Sequence, residues 1–72
     1  MIDSGFQDVL GLARKLLRDS PFVALHDLEV DQVDEQVLLK GRVDSFFLKQ
    51  IAQETVRSAT RGIEMINEVI VD

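Results

Sequence analysis

The sequence predicts a two-layer α+β domain: two helices on one face of a three-stranded mixed sheet, in the order helix–strand–strand–helix–strand. Three observations carry this. Apolar residues recur every three or four positions near the start and again after the middle, the period of amphipathic helices. Between these stretches the period falls to two, twice over, as in half-buried strands. Each helical stretch has a single apolar stripe, so both helices need one sheet face to cover and the other sheet face stays open. At 72 residues the chain is one domain, spanning 1–72.

The first helix is expected over about 4–19, where Phe6, Val9, Leu10, Ala13, Leu16 and Leu17 share a face. Ser4 with Gln7 three residues on forms a capping-box pattern. Asp8 suits the positive end of the helix dipole, and Arg14, Lys15 and Arg18 suit the negative end. Pro21 stops the helix, because it biases Ser20 away from helical angles.

The first strand is expected over Leu25–Val33, with Leu28 and Val30 facing one way and Asp27, Glu29 and Asp31 the other. The second covers Gln36–Val43, with Val37, Leu39 and Val43 inward. A two-residue turn at Asp34-Glu35 places Glu29 opposite Lys40, Asp27 opposite Arg42 and Val30 opposite Leu39. Opposite charges then pair outside and apolar residues inside, at roughly 0.2–1 kcal/mol per pair. A one-residue slip would turn the apolar set to water. Asp-Glu lacks the Gly that such a turn prefers, so a longer loop stays open as an alternative.

The second helix is expected over Ser45–Arg61, with Leu48, Ile51, Ala52, Thr55, Val56 and Ala59 as its stripe and Asp44 or Ser45 as its cap. Gly62 suits the left-handed position after a helix. The third strand, Glu64–Val71, is apolar on both faces, and its register is open. Either Ile66 and Ile70 join Leu38 on the uncovered sheet face, or Met65, Val69 and Val71 do.

Composition narrows the function classes. The formal charge is −5, against the basic face that a nucleic-acid module presents to phosphate. No Cys is present, which removes thiolate catalysis, Cys-based zinc and iron–sulfur clusters. No stretch is apolar enough to span a bilayer, and Met1-Ile2-Asp3-Ser4 lacks the basic and apolar regions of a signal peptide. The chain therefore reads either as cytoplasmic or as a domain cut from a longer protein.

No catalytic constellation, phosphate-binding glycine loop or cofactor motif occurs. His26, the one histidine, is expected on the inward side of the first strand as a structural residue, since no metal partners are evident. The acidic run Asp27, Glu29, Asp31, Asp34, Glu35 lacks the spacing of a calcium loop and reads as a solvated face. The chain therefore reads as a non-enzyme with no metal and no cofactor.

Several segments in order resemble the BON domain family (bacterial OsmY and nodulation). Val37-Leu38-Leu39-Lys40-Gly41-Arg42-Val43-Asp44-Ser45 resembles the family's second-strand signature. Gly62-Ile63 resembles its Gly-Val step, and Asn67 its Asn in the last strand. Leu17–Pro21 is similar to the end of its first helix and Leu28-Glu29-Val30 to its first strand. The chain departs at Glu35, where the family has Gly, and at Asn67, one residue closer to Gly62 than is usual. It departs again at Phe46-Phe47, where polar residues are common. The resemblance implies a binding module for phospholipid or envelope components, with no catalytic residues, and for a domain cut from a longer protein it implies the periplasm or envelope.

Two surfaces are candidates. Phe46 and Phe47 at the start of the second helix, with Arg42 and Lys49 beside them, suit a lipid surface or a membrane-associated partner. On the bland alternative, Phe47 packs on the first helix and Phe46 covers the seam between the helices. The open sheet face, with Leu38, Ile66 and Ile70, suits a protein contact, either a homo-oligomer or a neighbouring domain.

Overall fold

The three-to-four spacing, the two-residue alternation and the caps produce the expected elements in the expected order. The computed structural model describes residues 4–72. It comprises α1 (Ser4–Arg18), β1 (Glu29–Val33), β2 (Gln36–Val43), α2 (Phe46–Arg57) and β3 (Met65–Val71). Met1–Asp3 and the side chain of Ser4 lie outside the described residues, and with them the leader-peptide reading and the Ser4 cap.

The strand order is β1-β2-β3, with β1 antiparallel and β3 parallel to the central β2. The α+β class, the element order and the mixed sheet are as predicted. Leu10, Ala13 and Leu17 of α1 and Ala52 and Val56 of α2 are buried together with Val30, Val37, Leu39, Val43 and Val69 of the sheet. Leu39 and Val37 at the centre are fully buried.

The hairpin takes the tight register. Val33 faces Gln36, Val30 faces Leu39 and Glu29 faces Lys40. The turn needs a positive φ only at Asp34, 55°, so Glu35 can stand where the family has Gly. Asp is among the few L-residues that tolerate it. Gln32 Nε2 donates to the Asp34 carbonyl at 2.8 Å and holds the turn. Lys40 Nζ lies 3.9 Å from Glu29 and 3.8 Å from Asp31.

The expected Asp27–Arg42 pair does not form. β1 starts at Glu29 and not at Leu25: Leu25 closes a short 3-10 helix over Val23–Leu25, and a turn at His26 and Asp27 follows it. Beyond Glu29–Lys40, Leu28 lies over Gly41, whose φ is +140° and where a Cβ would run into the Leu28 side chain. Arg42 turns instead to Asp72, with Nη1 donating to Oδ1 at 2.9 Å.

His26 is likewise not on an inward strand face. It is exposed in the turn after the 3-10 helix, and its Nε2–H donates to the Ser20 carbonyl at 2.8 Å. It is hydrogen-bonded, as expected of a structural histidine, but it closes a loop and does not fill the core.

Ser45 caps α2, its Oγ accepting the Leu48 N–H at 3.2 Å. The helix ends at Arg57 and not at Arg61. Three-residue turns take over, with Ala59 N–H donating to Val56 O at 3.0 Å and Thr60 N–H to Arg57 O at 3.1 Å. The Thr60 hydroxyl also donates to Arg57 O, competing with the helical pattern. Gly62 takes the expected left-handed conformation, φ 76°, inside the turn that Ile63 N–H closes on Thr60 O.

Candidate functional site: an aromatic end and an open sheet face

The connection from α1 to β1 is shaped by Ser20 and Pro21. Pro21 breaks the helix, and the Ser20 Oγ accepts the Phe22 N–H at 3.0 Å. Leu25 N–H then donates to Phe22 O, and His26 N–H to Val23 O, both at 3.0 Å. This anchored loop presents Phe22 and Val23 outward while burying Leu25.

The loop meets the start of α2. The rings of Phe22 and Phe47 lie 6.0 Å apart at 73°, an edge-to-face contact. Phe47 therefore packs its ring on the loop. Phe46 does not close the seam between the helices. Phe46 is 76% exposed, Val23 75% and Phe47 61%, the highest exposures of any large apolar residue among those described. Phe22, at 38%, adjoins them. The sequence put Phe46 and Phe47 together but missed Phe22 and Val23. The signal for those two was an apolar pair straight after a helix-breaking Pro, in a segment with no period of its own.

The cations divide. Lys49 lines a shallow groove of about 360 Å³ with Phe46, Gln50, Gln53, Glu54 and Asn67. Arg42 does not join it. Val37, Leu39 and Val43 face the helices, so Arg42 lies on the opposite face, tied to Asp72. Near the loop, Lys15 donates to Asp19 at 2.8 Å. That hydrogen bond, then the charge of Lys15, holds the Asp19 carboxyl below its usual range.

The third-strand register settles which residues face outward. Val69 is buried and Met65 and Val71 pack against the core, while Leu38 pairs with Ile66 and Arg42 with Ile70. Leu38, Ile66 and Ile70 thus lie on the uncovered face, joined by Val33. The Lys40–Glu68 row separates Ile70 from the other three.

Asn67 falls on the helix side of β3 and is satisfied there. Its Nδ2 donates to Lys49 O at 3.3 Å and Gln53 Oε1 at 3.1 Å, and its Oδ1 accepts the Val69 N–H at 3.1 Å. Glu64 O and Asp72 N–H bond β2, which turns the backbone groups of Asn67 and Val69 to the free edge of β3. Asn67 therefore occupies that edge. On the other edge, Arg14 Nη2 donates to Val30 O at 3.0 Å and Asp31 Oδ1 accepts the Gln32 N–H at 3.2 Å. Side chains blunt both edges, so strand addition is the disfavoured way to bind this sheet.

Among the described residues no group of His, Asp or Glu is clustered to hold a metal ion, and no helix is long and apolar enough to cross a membrane. Comparisons with protein-family models, curated proteins and solved structures find no match.

Proposed function

We propose that this chain is a non-catalytic, BON-like binding module that engages phospholipid surfaces through its aromatic end. The observation that carries the proposal is the contact of Phe47 with Phe22, which brings the exposed Phe46-Phe47 segment up to the exposed Phe22-Val23 loop. Exposed aromatics of this kind gain most where a ring can leave water beside polar headgroups. The family resemblance points the same way. Lys49, which lines the groove beside Phe46, is in this reading the cation for a headgroup phosphate, and Arg42, tied to Asp72 on the opposite face, is not. Apolar insertion therefore supplies more of the affinity than charge does, and binding depends only weakly on salt.

Sedimentation with phosphatidylcholine vesicles, with and without phosphatidylglycerol, tests this. Wild type is expected to bind both. Burying one Phe contributes about 1.5–3 kcal/mol, so Phe46→Ser should weaken binding roughly ten- to a hundredfold. It should leave the melting temperature almost unchanged, because Phe46 touches so little. Arg42→Ala should bind like wild type. Folded wild type that ignores both vesicle types would overturn the proposal.

A further inference from the structure

The open sheet face is the second surface, and its chemistry differs from that of the aromatic tip. We infer that it docks a basic amphipathic helix of a partner protein, and neither a membrane nor a second copy of this chain. Along β3, Ile66, Glu68 and Ile70 share this face, with Leu38 beside Ile66. Alternate residues of a strand repeat about every 6.6–7 Å, so Ile66 and Ile70 are about 13 Å apart with a carboxylate midway. Positions i, i+4 and i+8 of an α-helix rise about 12 Å along one side. A stripe of apolar residue, Arg or Lys, and apolar residue at that spacing matches the row.

The charge on the face selects the sign. Lys40 is shared between Glu29 and Asp31, and Arg42 is spent on Asp72. Glu68 is in no ion pair among the described residues, so the acidic groups outnumber their cations. An anionic bilayer is repelled by such a face. Two copies brought face to face would oppose like excess charge, in a chain already at −5. Backbone pairing is disfavoured by Arg14 and Asn67 at the edges. A cation flanked by apolar residues satisfies Glu68 and covers Ile66, Leu38 and Ile70 together.

The test uses a labelled helical peptide with Leu at i and i+8 and Arg at i+4 on an Ala/Gln background, and a twin with Glu at i+4. Fluorescence anisotropy should show the Arg peptide binding at least about tenfold tighter than its twin, a difference of about 1.4 kcal/mol. Glu68→Lys should invert that preference, and Leu38→Lys should abolish binding of the Arg peptide. Phe46→Ser, on the other surface, should change nothing. Equal affinity for the two peptides, or no binding of either near about 1 mM, would overturn the inference. So would wild-type sedimentation that shifts with concentration and is reset by Leu38→Lys, which would give the face to a second copy.

Discussion

Asn67→Ala probes a polar side chain that ties the free edge of β3 to α2. The substitution removes the bonds to Lys49 O and Gln53 Oε1 and strands the Val69 N–H, whose residue is 1% exposed. Lys49 O is a helix carbonyl and Gln53 is half-buried, so both can find other partners. The Val69 N–H is different, because it faces the sheet edge under α2 with no second acceptor described. An unsatisfied, largely buried donor costs about 1–3 kcal/mol, and the small cavity left by the amide adds to it. A loss of about 2 kcal/mol is expected, which for a domain of this size lowers the melting temperature by roughly 8–16 °C. Urea unfolding followed by circular dichroism gives the free energy. Hydrogen exchange at Val69 gives the local cause, with protection falling more than at Leu39. The freed edge should also make the variant associate as concentration rises. Stability within about 0.5 kcal/mol of wild type, with Val69 protection unchanged, would refute the reasoning, since water would then be replacing the amide.

Gly41→Ala forces a Cβ against Leu28 at a φ of +140°. Strain of about 1–3 kcal/mol is expected, lowering the melting temperature by roughly 5–20 °C, and an unchanged melting curve would contradict it. Leu39→Ala empties the fully buried centre of the sheet. A loss of about 2–5 kcal/mol follows, measured by urea titration, and would leave so small a domain partly unfolded at room temperature. Lys15→Ala should return the Asp19 carboxyl, now held low by Lys15, to its ordinary titration range in a carboxyl NMR titration. Because the folded-state value is depressed, the pair stabilises the fold above the ordinary carboxylate range and the benefit disappears as pH falls through the depressed value. An Asp19 midpoint indifferent to the substitution would assign the shift elsewhere.

Much of the fold was legible because its signals are local. Helix and strand periods follow from backbone geometry, the Ser45 cap and the Gly62 turn depend on a few adjacent residues, and the hairpin register follows from charges a short loop brings together. Where an expectation failed, a distant group had intervened. Asp72, beyond the reach of any hairpin argument, takes Arg42 from Asp27. The ladder begins only at Glu29, with Leu28 lying against Gly41 beyond it. Phe47 meets Phe22 across a separation of 25 positions (47 − 22) that no period spans.

The sequence by itself determined the element order, the class and the presence of an aromatic pair at the start of α2, but not whether that pair is exposed. It left the faces of β3 undecided, because a strand apolar on both sides carries no parity. Parallel pairing with β2 decided them, by placing Val69 in the core and Asn67 against Lys49 O and Gln53. An amide can sit on the helix side only where a helix offers it partners, and only the packed structure supplies those. The same packing made a single tip from two apolar segments, and sent Ile66 and Ile70 outward to the open sheet face.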